Sequence, residues 1–518
     1  MKILSKEQIY KADQITLKRQ QITSTELMER AATEVFNWMH SRLNGAPVLI
    51  RVFCGIGNNG GDGLVLSRHL VNHGYNVITY VVNCSNERSN DFLINYERLR
   101  QASKKWPELL KCESDFPEIS PDDIIVDAIF GIGLKRPADD WIQRLFQHFR
   151  KSKAFTLSID MPSGLYTDKI PESEDAVVWS HYTLSFQVPK LVFFLPDTAK
   201  FVDRWEVIDI GLDQDFLNDA ISIADYIGKP EVLPFYKIHD KFSHKGTFGH
   251  VLIIGGSYGK IGAVQLASRA ALVSGAGLVT TFIPKCGYTA LQTALPEIMV
   301  MTDVNDDFIS NIKVDQPFNA IGIGVGLGTH PDTVMAIESF LKSQKTPLVI
   351  DADAINMLSS HKKLIQYIPE LTILTPHPKE LERLIGKWKD DFDKIKKVKR
   401  LSKKYNLIVV IKGFNTMIIL HDQVYINSTG NPGLATAGSG DVLTGIITGL
   451  LAQGYEPLQS AIFGVYLHGK SADLLAHNMA YQCITASDVI DGISNAYTDL
   501  FVQPEISNES SYSNGSEN

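Results

Sequence analysis

A chain of 518 residues is too long for one ordinary hydrophobic core, and at about 100 to 200 residues per domain it predicts two large domains. Hydrophobic content of 44%, charged content of 21% and aromatic content of 9% are those of a soluble globular protein and exclude wholesale disorder. The net charge of -8 excludes a general nucleic-acid binder, because neutralising phosphates requires a basic face.

The amino terminus, MKILSKEQIYKADQ, has charges too closely spaced for the apolar core of a signal peptide. Strands are predicted in VLIRVFCG, YNVITYVV, DDIIVDAIFG and AFTLSID, with helices in LVLSRHLVNHG and DDWIQRLFQHFR between them. That alternation is the pattern of β-α units around a mostly parallel sheet. It loosens after about Gly211, and a second series of strands follows in HVLIIGGS, LVTTFI, FNAIGIGVG, TPLVIDAD and LTILTPH. Lys387 to Tyr405 reads as an amphipathic helix with a basic, solvated outer face. Two long helical patterns, DVLTGIITGLLAQG and LQSAIFGVYLHGKSADLLAHN, close the second series. The expected organisation is an α/β domain over 1–222, a second over 228–502 and a disordered tail over 503–518, which is rich in Ser, Asn and Glu.

No stretch approaches the roughly 18 apolar residues of a membrane span. The cysteines Cys54, Cys84, Cys112, Cys286 and Cys483 form no C-x-x-C pair, and their odd number favours a reducing compartment. A cytoplasmic protein without membrane partners is expected. The apolar stretch LVFFLPD is a candidate interface for the homo-oligomer that is also expected.

The chemistry gathers at predicted strand ends. GIGNNGGDG, Gly55 to Gly63, follows the first strand and precedes a helix predicted to start near Asp62. Glycines there let a backbone approach an anion at a helix amino terminus. The spacing departs from the dinucleotide fingerprint, and taken alone the cluster is as readily a structural turn. Asp127 lies inside a later strand, before the glycine turn Gly131 to Pro137, and Asp160 and Ser163 end the next. Each carboxylate alone reads equally well as a helix cap. In a parallel sheet, however, all three segments converge outside the carboxyl ends of the strands.

GNNGGDG, DAIFGIGLKRP and SIDMPSG, in this order, resemble the epimerase domain of the bifunctional NAD(P)H-hydrate repair enzymes. LMERAA resembles that family's amino-terminal helix motif, with Ala32 where glycine is expected, and Ile56 stands where proline is frequent. The resemblance implies a Rossmann-like three-layer αβα domain. It implies that Asn58, Asn59, Gly60, Gly61 and Asp62, with Gly131, Ile132, Gly133, Leu134, Lys135, Arg136 and Pro137, bind the hydrated dinucleotide. Asp160 would face the ring as the proton-transfer group, and Asn59, Asp127 and Ser163 would hold K+. These oxygen donors are hard ligands suited to such an ion.

In the second half, Gly255 to Gly262, VGLGTHPD, VIDADAIN, LTPHPKEL and VIKGFNT each follow an apolar strand. In NPGLATAGSGDVLTG, Ala437 to Gly440 precede an apolar helix whose first turn contains Asp441. Small residues there leave amides free to hold a transferring phosphate, while the aspartate is also an ordinary helix-cap residue. Together with HKGTFGHVLIIGGS, TPHPKEL and KGFNT, the segment resembles the ribokinase-like ADP-dependent NAD(P)HX dehydratase domain, with Ala437 replacing a frequent glycine. The resemblance implies that Lys412, Gly413, Phe414, Asn415, Thr416 and Gly440 bind the nucleotide. It implies that Ala263, Gly326, His377 and Asp441 meet the substrate, with Asp441 as catalytic base. His377 read without the family is a turn residue. The implied small molecules are NADHX, NADPHX and ADP, with Mg2+ accompanying ADP.

The implied function is metabolite repair: interconversion of the R and S hydrates, then ADP-driven dehydration of the S form to NAD(P)H with release of AMP and phosphate. Two other readings remain compatible with the motifs. One is a small-molecule kinase with an accessory domain, which would release a stable phosphorylated product. The other is a nucleotide-binding sensor, which would bind hydrate without turnover.

Overall fold

The computed structural model describes residues 1–314 and 316–502, so the expected tail over 503–518 lies outside the described residues. The chain forms two compact units. One comprises Met1–Tyr226 with Trp388–Val398 and Gln423–Ile426; the other comprises Ile227–Lys387, Lys399–Asp422 and, among the described residues, 427–502.

In the first unit, helices α1 (Lys6–Gln20) and α2 (Ser24–Leu43) precede a parallel sheet. Ser5 and Thr23 cap them through reciprocal bonds with Gln8 and Glu26, which satisfies first-turn amides that the helices leave unpaired. The strands are β1 (Leu49–Cys54), β2 (Asn76–Val82), β3 (Glu108–Leu110), β4 (Ile124–Ala128), β5 (Phe155–Ile159), β6 (Ser180–Phe186) and β7 (Val202–Ile208). They lie in the order β3-β2-β1-β4-β5-β6-β7, all parallel. This is the doubly wound order, with its switch point between β1 and β4.

Alternation along the strands builds two cores. Ile50, Val52 and Cys54 pack with Leu27, Val35, Leu64 and Leu70 on one face, and Phe53 packs with Tyr80, Ile142, Leu145 and Phe149 on the other. Burial on both faces is why these strands read as continuous apolar runs. Helix α3 (Asn58–Asn72) starts four residues before the expected Asp62, so Asn-Asn-Gly-Gly forms its first turn. LVFFLPD is core rather than an oligomer surface, since Val192, Phe193, Phe194 and Leu195 are all buried.

The second unit contains β8 (His250–Ile254), α4 (Ile261–Val273), β9 (Leu278–Ile283), β10 (Met299–Thr302), β11 (Ala320–Ile323), β12 (Leu348–Ile350), β13 (Ile373–Leu374), β14 (Ile408–Ile411) and β15 (Met417–Leu420). The strand order is β15-β14-β13-β12-β11-β8-β9-β10, parallel except at β14-β15. Helix α5 (Ser439–Ala452) is buried at every residue from Val442 to Ala452. It lies directly on β11, where a Cβ at Gly322 would stand 2.7 Å from Thr448 Oγ1. Among the described residues, no helix is long and apolar enough to cross a membrane.

Candidate active sites

In the first unit the predicted segments follow β1, β4 and β5, neighbouring strands of the sheet, and so share one edge. Gly57 precedes α3 without a side-chain cap, leaving the first-turn amides of Asn58 and Asn59 directed at that edge. The loop is closely wound: a Cβ at Gly60 would stand 1.9 Å from the Gly55 carbonyl oxygen. Gly60→Ala is therefore expected to cost about 1–3 kcal/mol, read as a lower thermal midpoint of this unit.

The Asn59 side chain packs 3.4 Å from the Cβ position of Gly131, which joins the first glycine loop to the second. Its Nδ2 is buried without a hydrogen-bond partner. Asp127, fully buried, accepts from Ser158 Oγ at 2.9 Å, Ser163 N at 2.8 Å, Ser163 Oγ at 2.5 Å and Ile129 N at 3.3 Å. Burial pushes its carboxyl above the usual range, and the bonds from Ser163, Ile129 and Ser158 oppose that rise. Asp62 is buried in α3 and pushed well above the usual range by that burial, then by the charges of Asp160, Asp13 and Asp91.

Asp160 ends β5 with φ 64°, a left-handed conformation that aspartate tolerates better than most residues. Its Oδ1 accepts from Phe186 N at 3.2 Å and from Lys190 Nζ, which also donates to Ser185 Oγ at 2.8 Å. Lys190 is buried, with 2% exposure. The sequence reading missed it, although a lysine in the apolar stretch FQVPKLVFF was a signal. Asp13 and Tyr10 of α1, also missed, enter the electrostatic surroundings of Asp160.

In the second unit the predicted segments follow β8, β11, β12, β13 and β14, again neighbours in the sheet. Ser257 Oγ donates to the Gly326 carbonyl at 2.9 Å, and a Cβ at Gly326 would stand 3.1 Å from Ala263 Cβ. Two predicted substrate residues thus meet. Gly328 N donates to Asp353 Oδ2 at 2.8 Å, tying the same loop to the helix that follows β12.

Asp351 organises the centre. Its Oδ1 takes Lys412 Nζ at 2.7 Å, and its Oδ2 takes Thr444 Oγ1 at 2.8 Å. A Cβ on Gly440 would stand 3.0 Å from Lys412 Nζ, so the nucleotide-binding candidates Lys412 and Gly440 are in contact. Gly438 enters α5 at φ 86° without a side-chain cap, and the unpaired amides that follow suit an anion. Asp441, in the first turn, is pushed up to about 7 by burial, then by the charge of Asp351, with Lys412 opposing. At the start of the same helix, buried His468 lies 3.2 Å from Ser439 Oγ and is pulled down to about 4 by burial and then by Lys412.

Gly413 to Thr416 form the turn after β14, where Thr416 Oγ1 donates to Gly413 O at 3.1 Å and Phe414 is 75% exposed. His377 follows β13 as a helix cap: its Nδ1 accepts from Lys379 N at 3.1 Å, and Glu380 Oε2 accepts from His377 N at 2.9 Å. His377 thus holds the start of the helix Pro378–Ile385, at the turn where it was read without the family.

Two family models match the chain. One is described as YjeF-related protein N-terminus, over residues 24–192, and the other as NAD(P)H-hydrate dehydratase, over residues 251–495. A solved ADP/ATP-dependent NAD(P)H-hydrate dehydratase from Bacillus subtilis, co-crystallised with ATP and Mg2+, is 26% identical, covering 54% of this chain and 99% of its own, with a TM-score of 0.47. The bifunctional NAD(P)H-hydrate repair enzyme Nnr of Dictyoglomus turgidum is 31% identical, covering 95% of this chain and 97% of its own. The enzyme of the same name from Moorella thermoacetica is 34% identical over 517 residues, covering 95% of this chain and 96% of its own. With both motif sets at their sheet edges and likeness over nearly the full length, the chain belongs to the bifunctional NAD(P)H-hydrate repair enzymes.

Proposed function

We propose that the first unit interconverts the R and S hydrates of NADH and NADPH, and that the second dehydrates the S form with ADP. The observation that carries the reading is the placement of Asp441 in the first turn of α5, directly after Gly440, whose Cβ position lies 3.0 Å from Lys412 Nζ; burial and the charge of Asp351 push the Asp441 carboxyl up to about 7. Hydroxide is a poor leaving group. Asp441 would take the proton of the C6 hydroxyl as the terminal phosphoryl group of ADP transfers to that oxygen. The first-turn amides of α5 and the Lys412 ammonium would balance the developing phosphoryl charge. Phosphate then leaves as the ring nitrogen's lone pair forms the C=N bond, and loss of the C5 proton restores the reduced cofactor.

The buried Asp127 carboxyl, bonded to the neutral donors of Ser163, Ser158 and Ile129, together with the Ser163 hydroxyl and the side-chain carbonyl of Asn59, supplies the oxygen atoms that a hard monovalent cation takes. Asn59, Asp127 and Ser163 would hold K+, which would supply positive charge for the dinucleotide. Asp351 and Asp353 add hard oxygen atoms at the second site, a donor type suited to the Mg2+ that accompanies ADP. That ion would screen phosphate charge. The proposed setting is cytoplasmic.

The test is to incubate mixed R and S hydrates with the full chain, ADP, magnesium and potassium, following reduced-cofactor absorbance and phosphate. Full recovery is expected. Recovery of only the S fraction would remove the epimerase, and accumulation of a stable phosphorylated product would leave a kinase.

A further inference from the structure

Helix α1 reaches the first site from far away in sequence. Its Ile9 shares an apolar cluster with Val188 and Ile132, so the helix packs on both the Lys190 segment and the second glycine turn. Tyr10 Oη lies 3.3 Å from the Cβ position of Gly133 in that turn. Asp13 stands four residues after Ile9 and three after Tyr10, which puts all three on one helix face. Across from it, the Asp160 carboxyl is fixed through Oδ1 by Lys190 and the Phe186 amide.

We propose that Asp13 is the proton-transferring carboxyl of the epimerase, and that Asp160, fixed by Lys190, is the ring-facing counter-charge. The proposal rests on the epimerase reading above and reassigns the role first expected for Asp160. Burial, then the charge of Asp160, pushes the Asp13 carboxyl up to about 6, with Lys190 opposing. The other ionisable groups turned to this edge are Tyr10, Asp62, Asp160 and Lys190, with Lys135 and Arg136 on the glycine turn.

Protonated Asp13 gives its proton to the C6 hydroxyl as the C6–O bond breaks. The N1 lone pair forms N1=C6, leaving an iminium and one water. Water then adds to the opposite face of C6, the π pair returns to N1, and the surplus proton returns to Asp13. Nothing is consumed. The Asp160 carboxylate beside the ring would stabilise the cation between the two steps.

Epimer exchange is measured chromatographically on the full chain with potassium and without nucleotide, after subtraction of the spontaneous rate. An unchanged thermal midpoint of the first unit reports that it is folded, and ADP-dependent recovery from pure S hydrate reports the same of the second. Wild-type kcat/KM is expected to fall as pH rises through about 6, because the acid form is lost. Asp13→Asn is expected to lower kcat by about 100-fold or more, with little change in KM, and to flatten that fall. Asp13→Glu, which keeps a carboxyl, should return exchange to within about tenfold of wild type. Wild-type rate and pH profile in Asp13→Asn, or no rescue in Asp13→Glu, would overturn the role of Asp13 alone. Absence of exchange in the wild type would overturn the epimerase reading itself.

Discussion

Asp441→Asn is expected to reduce ADP-dependent recovery of NAD(P)H by about 10³-fold or more while leaving epimer exchange intact. The carboxyl must be ionised to accept the C6 hydroxyl proton, so the wild-type rate should rise as pH passes through about 7 and level off above it. Asp351 is the first charge behind that elevation, after burial. Asp351→Asn should therefore move the rising limb to lower pH, even as loss of the bonds to Lys412 and Thr444 lowers the plateau. A limb that stays fixed would remove Asp441 as the titrating base. Stability gives an independent check. A carboxyl raised in the folded state holds a proton that the unfolded chain has already released, so stability falls between the unfolded value near 4 and about 7. Asp441→Asn should consequently raise the thermal midpoint of the second unit at pH 8 and change it little at pH 4.

The same cluster marks where sequence reasoning stops. Strand ends were legible because an apolar run followed by glycine and acid has few other uses, and Asp127, Asp160 and Gly326 lie at or just beyond such ends, while Asp441 was marked by the small residues before an apolar helix. The beginning of α3 was not. Asn-Asn-Gly-Gly has poor intrinsic helix propensity, and helix formation there depends on close packing, with Gly61 against Met28 and Gly63 against Ala128. Asp13 was invisible for another reason. It sits in an ordinary amphipathic helix, and only the packing of Ile9 on Val188 gives it an address. Lys412 was found by resemblance, but its partnership with Asp351 joins the ends of strands that are not sheet neighbours, which no local pattern encodes.

Lys190→Met should strongly destabilise the first unit. Lys190 and Asp160 are 2% and 11% exposed, so removing the ammonium leaves a carboxylate with little water to replace it. Loss of one partner from such a pair costs about 3–5 kcal/mol, and at about 2–4 °C per kcal/mol for a unit of this size the midpoint should fall by roughly 6–20 °C. The cost belongs to the stranded charge rather than to the attraction alone. Lys190→Met combined with Asp160→Asn should therefore recover most of the loss, giving a strongly non-additive cycle. Epimer exchange should nevertheless remain low in the double variant, because a neutral amide cannot stabilise a cationic ring. If stability and exchange returned together, the pair would be structural only. Recovery of the fold without recovery of exchange is the result that separates the charge needed for packing from the charge needed for chemistry.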